Sequence, residues 1–166
     1  MKSKIILFLL LNFVLSSCKF DDSFDEKLLA DFKVFQEIID ENPDKIKGLN
    51  FDIADSYRWI VESNFNRLFS FANENFKNRF IELFDNKLIT RIEVNNKKCI
   101  QFRIRPDYNN SLLKSEWNEL WIVYNPGCDC VCHKKINGYE VSNDNIKQIE
   151  KNWFKVISKN KRYIGG

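Results

Sequence analysis

The sequence predicts an α+β fold, with N-terminal helices packed on a C-terminal antiparallel sheet of about five strands. Apolar residues recur at three and four positions up to residue 85, then at every second position from residue 88 onward. Helical periodicity first and strand periodicity afterwards is the order of an α+β chain. No internal repeat, low-complexity tract or Pro/Gly/Ser-rich linker interrupts residues 23–166, which read as a single globular domain.

Ser23-Phe-Asp-Glu26 has the form of a capping box, and Leu28, Phe32, Phe35 and Ile39 follow at helical spacing until Asn42-Pro43. Ile53, Tyr57, Ile60, Val61 and Asn64 predict a second helical region starting near Asp52 or Asp55. A third helix, about 66–85, carries Phe69, Phe76, Phe80, Leu83 and Phe84 and stops at Asn86-Lys87. Leu88, Thr90, Ile92 and Val94, the turn Asn95-Asn96, and then Ile100, Phe102 and Ile104 predict a hairpin. Residues 106–115 read as a polar loop. Glu116 to Tyr124 is the most apolar strand. Trp117, Trp121 and Val123 lie on one face and Leu120, Ile122 and Tyr124 on the other, which predicts a central position. Asn125-Pro126-Gly127 is a turn, followed by a cysteine-bearing strand over 128–136 and the turn Asn137-Gly138. A short helix near Asn143–Lys151 and a last strand from Trp153 to Tyr163 complete the prediction. At the level of architecture alone, a helix-backed curved sheet of the cystatin or NTF2-like sort fits this order.

The first eighteen residues have a different character. Lys2 and Lys4 precede an apolar run from Ile5 to Leu15, broken only by Asn12, and Ser16-Ser17-Cys18 follows. A charged start, a short apolar run and small residues form the pattern of an export signal. The run is too short for a spanning helix, which needs roughly 20 apolar residues. Leu15-Ser16-Ser17-Cys18 resembles the lipobox of bacterial lipoproteins, with serine before the cysteine as in envelope lipoproteins of the Bacteroidota type. The resemblance implies that residues 1–17 are a signal peptide and that Cys18 becomes the N-terminus. Cys18 would carry the lipid, palmitate included, and residues 18–22 would form a short tether. Lys19 stands where lipoproteins kept in the inner membrane generally have Asp, so the resemblance implies the outer membrane, on its periplasmic or surface face. Lys19-Phe20-Asp21-Asp22 is similar to the basic-then-acidic surface-export tag, interrupted by Phe20.

Charge excludes one function class. The full chain has 26 basic and 23 acidic residues, and losing Lys2 and Lys4 lowers its net charge from +3 to +1. Nucleic acid is therefore not an expected partner. The distribution is asymmetric: residues 21–44 hold nine acids against Lys27 and Lys33, and residues 134–166 hold eight basic residues against three acids. Two faces with different partners, or two solvated faces, both produce such a split.

Cys128-Asp-Cys130-Val-Cys132-His133, with Cys99 on the preceding hairpin, is the one cluster of reactive side chains. On a regular strand Cys128, Cys130 and Cys132 share a face and His133 takes the other, and the spacing lacks the zinc knuckle C-x₂-C. An oxidising envelope favours disulfides. Cysteines two apart on a strand are ~6.6 Å apart at Cα, near the upper limit for a bond, so a bridge from Cys99 to one of the three forms most easily. Disulfide or structural thiols at Cys99, Cys128, Cys130 and Cys132 are the expectation. A metal or copper(I) site on Cys128, Cys130, Cys132 and His133, and redox chemistry, are the alternatives.

No catalytic residues stand out, and no cofactor is implied. His133 is the single histidine, so any Ser-His-Asp or Cys-His-Asn mechanism would run through it. The five glycines form no phosphate-binding loop, and no carboxylate pair has a distinguishing signature. Trp117 and Trp121 on one face, with Tyr108 and Tyr139 in nearby loops, suggest either sugar stacking or core filling. The expected function is a lipid-anchored envelope protein, non-enzymatic, that binds another envelope protein or polymer through its sheet side, an immunity-type protein being one version. The alternative is a small envelope hydrolase or a thiol- or metal-dependent protein using the Cys128–His133 cluster.

Overall fold

The computed structural model describes residues 24–45, 50–52, 64–95, 98–106, 116–127, 132–136 and 139–161. The signal and lipobox, the helical region from Ile53 to Val61, the 107–115 loop with Tyr108, Cys128, Cys130 and the turn Asn137-Gly138 lie outside these residues.

Helix α1 spans Lys27–Glu41, and its start falls to Asp25, whose Oδ1 accepts from the Lys27 amide at 2.9 Å. The Asn42 side chain donates to the Ile38 carbonyl at 3.0 Å where the helix stops. Leu28, Leu29, Phe32, Phe35 and Ile39 form its buried stripe. Strand β1 (Asn50–Asp52) follows. The expected helix over 66–85 is two pieces: residues 64–68 are helical, residues 69–72 turn, and α2 runs Glu74–Asp85. The break has a local cause. Asn73 takes extended backbone and its Oδ1 accepts from the Phe76 amide at 2.9 Å, so it starts a new helix instead of continuing the old one. The turn folds Phe65 and Phe69 back against Phe76, with Phe69–Phe76 centroids 5.6 Å apart.

The C-terminal end of α2 closes with the Leu88 amide on the Leu83 carbonyl and the Lys87 amide on the Phe84 carbonyl, both 2.9 Å. Lys87 occupies the left-handed position of this motif at φ 55°, where glycine is the unstrained residue.

Strands β2 (Arg91–Val94), β3 (Ile100–Pro106) and β4 (Glu116–Tyr124) are antiparallel neighbours. A Cys132–Lys134 turn of 3₁₀ helix leads into the two-residue strands β5 (Lys135–Ile136) and β6 (Tyr139–Glu140). A second 3₁₀ turn, Asn143–Asn145, precedes β7 (Ile146–Glu150) and β8 (Trp153–Lys161). The α+β class holds. Among the described residues the main sheet has six strands in the order β1-β2-β3-β4-β8-β7, with β4 inside as expected. Two expectations are corrected. The segment read as a helix over 143–151 is mostly strand β7, and the described end of the 128–136 segment is a turn and a separate two-stranded ribbon.

Alternation in β3 and β4 divides the core. Ile100, Phe102 and Ile104, with Leu120 and Ile122, join α1 and α2 in the larger cluster. Cys99, Trp121, Val123 and Val156 face the other way with Ile136. Phe102 is fully buried in the larger cluster. Phe32 stacks on it at 4.1 Å and 12°, and Phe35 meets it edge-on at 5.3 Å and 81°. The two helices are clamped by Arg79, whose Nε and Nη2 donate to Asp31 while Nη1 reaches Glu82 at 3.0 Å. Those bonds, Asp31's first, hold the guanidinium firmly charged.

Phe102→Ala removes the ring on which Phe32 and Phe35 converge. Urea unfolding of this variant is expected to show a loss of about 3–5 kcal/mol with an unchanged m-value.

Candidate functional site

The sheet face away from the helices is not a simple solvated surface. Thr90 and β2–β4 place Arg91, Glu93, Gln101, Arg103, Glu119 and Trp121 there, and the last four are buried. Among the described residues, Arg103 and Glu119 are the most tightly enclosed charges, at 5% and 3% exposure. Arg103 pairs with Trp121 in the regular register, just before a shift in β3, and its Nη1 reaches Glu119 Oε1 at 3.4 Å. Glu119 Oε2 accepts from Trp121 Nε1 at 3.0 Å. The Arg103 Nε donates to Thr90 Oγ1 at 2.9 Å, and its guanidinium lies 6.0 Å from the Trp121 ring centre. A buried carboxylate needs such company, because an uncompensated charge away from water costs several kcal/mol. Arg91 and Glu93 form a second pair on the same face at 2.7 Å.

The second constellation sits where β3 begins and β4 ends. Cys99 is 1% exposed and disulfide-bonded, and its partner lies outside the described side chains. The Asn95 carboxamide oxygen accepts from the Cys99 amide at 3.0 Å and fixes the hairpin that presents it. Asn125, one residue past β4, holds His133: its Nδ2 is 2.7 Å from His133 Nδ1. The neutral imidazole is held through Nδ1, with the donor and acceptor roles of this bond following the ring tautomer. The imidazole lies flat on Phe154 at 4.1 Å and 9°. Burial, and then the charge of Lys134, push His133 below its ordinary pKa and favour this neutral form.

Of the residues singled out in the sequence, Cys99 and His133 come to one corner of the sheet. Cys132 is placed by its backbone in the turn before His133, and Cys128, Cys130 and Cys18 lie outside the described residues. Among the described residues, no three His, Cys, Asp or Glu side chains come together as a metal-binding group. Trp121 is core, fully buried and bonded to Glu119, so it is no platform for sugar stacking. Arg103 and Glu119 escaped the sequence reading because a polar residue in an alternating strand looks solvated. One signal was present. Glu119 sits between Trp117 and Trp121 on a strand apolar on both faces, and a carboxylate in that setting requires a buried cation.

A shallow groove of about 390 Å³ opens on the helix side, between the first turns of α1 and the end of β7, lined by Phe24, Leu29, Lys33, Ile149 and Glu150 among others. Lys33 and Glu150 bridge it at 2.6 Å. No described helix is long and apolar enough to cross a membrane. Comparison with known protein families, with curated proteins and with solved structures finds no match to this chain.

Two outcomes follow for these groups. Glu119→Gln keeps an acceptor for Trp121 but removes the charge that Arg103 Nη1 reaches, and is expected to cost about 3–5 kcal/mol in urea unfolding. Adding Arg103→Met is expected to recover most of that loss, which makes the pair's coupling measurable in a double-mutant cycle. For His133 the folded pKa lies below the unfolded one, so the unfolded chain binds the extra proton first. Its stabilisation is complete above the ordinary histidine value of about 6.5 and is lost as pH falls from there toward the folded value. Melting temperatures between pH 7.5 and 5 should therefore fall more steeply for the parent than for His133→Gln.

Proposed function

We propose that this chain is a lipid-anchored protein of the bacterial envelope that acts by binding a partner and not by catalysis. The observation that carries the anchored part is Leu15-Ser16-Ser17-Cys18 behind a charged start and an eleven-residue apolar run. Acyl chains on Cys18 would hold the protein at a bilayer, each buried CH₂ contributing ~0.8 kcal/mol. Lys19 directs this reading to the outer membrane.

What supports binding is the way the reactive side chains are used. Glu119 is engaged by Arg103 and Trp121, His133 by Asn125 and Phe154, and Cys99 by a disulfide. A general acid, base or nucleophile needs a face turned toward substrate, and these groups spend theirs on the fold. The partner in this proposal is another envelope protein, an immunity-type role against a toxin delivered to the envelope being the most specific version. Co-expression with a toxin encoded beside this gene should then protect cells and yield a complex stable to gel filtration. The absence of both protection and a complex would remove that version.

The anchored reading is tested by Cys18→Ser. The parent is expected in the membrane fraction, with an intact mass raised by its acyl chains and labelled by palmitate. The variant should lose the label completely and leave the membrane pellet.

A further inference from the structure

On the anchored reading, we infer that the β7–β8 edge of the sheet is the surface that lies against the bilayer, and that its ligand is the anionic phospholipid headgroup. The first argument is the length of chain outside the described residues. Only Cys18 to Ser23 separate the lipid from Phe24, a reach of roughly 20 Å when fully extended. Phe24 lines the same groove as Ile149 and Glu150, so the tether leaves the domain beside the last residues of β7. Whatever the tether's path, that edge is held close to the membrane.

The second argument is the sign of the charge there. Lys147 on β7, Lys151 in the turn after it and Lys159 on β8 are exposed, and none pairs with a described acid. Lys147 lies directly opposite Lys155 in the β7–β8 register, and like charges in that position repel. Lys155 has an interaction of its own. The acids nearby are partly spoken for: Glu150 is bridged by Lys33, Asp25 accepts from the α1 backbone, and Glu26 is exposed at the groove. Each basic residue near an anionic leaflet strengthens attachment about fivefold, within a Debye length of the surface. A row of lysines beside a short lipid tether meets both conditions.

The test is lysine footprinting of the full lipidated chain, reconstituted into vesicles of phosphatidylethanolamine and phosphatidylglycerol (3:1) or of phosphatidylcholine alone. The probe is an amine-acylating ester read by mass spectrometry. Lys87 is the internal control, an exposed lysine in the turn that leads from α2 to β2, the strand four places from β7 and so about 19 Å from it at ordinary strand spacing. Acylation of Lys147, Lys151 and Lys159 is expected to slow at least threefold relative to Lys87 on the anionic vesicles, and not on the zwitterionic ones. The double variant Lys147→Glu/Lys151→Glu, at two exposed positions, should abolish the lipid dependence at Lys159. Equal rates on both vesicles, or slowing at Lys87 instead, would overturn the inference. The intact mass of the same sample separates the two failures. An unlipidated chain removes the anchor reading, whereas a lipidated chain with unprotected lysines removes only this orientation.

Discussion

Phe102 is the point at which the two layers of this protein become one object. It projects from β3 toward the helices, takes Phe32 face to face and Phe35 edge to face, and lies 6.4 Å from Trp153 on β8. Phe35 in turn touches Phe69, Phe76 and Phe80, so the turn and both helices register against the sheet through rings in contact with this side chain. Aromatic pairs add only about 0.5–1.5 kcal/mol each beyond the area they bury. Their weight here comes from position, since α1, the helical residues 64–68 and α2 each contribute a ring to the same cluster.

The alternation that aims Phe102 at the helices aims its neighbours the other way. Arg103 is next in sequence and Cys99 is three residues before Phe102, so both fall on the far face, one in an ion pair and one in a disulfide. Strand β4 repeats the pattern, with Leu120 and Ile122 inward and Glu119, Trp121 and Val123 outward. A slip of one residue between these strands would bury the charges among phenylalanines and expose the aromatic core. A slipped register would therefore also have to break the Arg103–Glu119 pair. That use of buried polar groups is known from helical assemblies in which one polar residue selects the alignment.

Much of this was legible in the residues themselves. Leu28, Phe32, Phe35 and Ile39 keep helical spacing, and the alternation of β3, β4 and β8 is long enough to be unmistakable. The failures have physical causes. Ile146 and Ile149 are three apart, a spacing that suits one face of a helix. In the sheet the same spacing sends them to opposite faces, Ile146 toward Trp121 and Val156 and Ile149 toward the helices. Pairing with β8 decided between the two, and pairing is not a local property. The alternation in Cys128-Asp-Cys-Val-Cys132 likewise suggested a strand, but at its end His133 is drawn onto Asn125 and Phe154 in a 3₁₀ turn. Side-chain contacts across 8 and 21 residues cannot be read from a window of six.

The two constellations and the N-terminal start of α1 lie on opposite sides of one sheet. Phe24 and Leu29 belong to the helix layer, whereas Cys99, Trp121 and Ile136 belong to the far layer. Packed layers are about 10 Å apart, so the His133 corner is separated by that thickness from the layer to which Phe24 belongs. A partner that reaches the far layer therefore does not compete with the membrane for the same surface. The acidic α1 and the basic β7–β8 edge add a direction to this arrangement, because an anionic leaflet attracts one and repels the other. On the proposed anchored reading, tether length would limit how far the domain moves, and charge would select which way it turns.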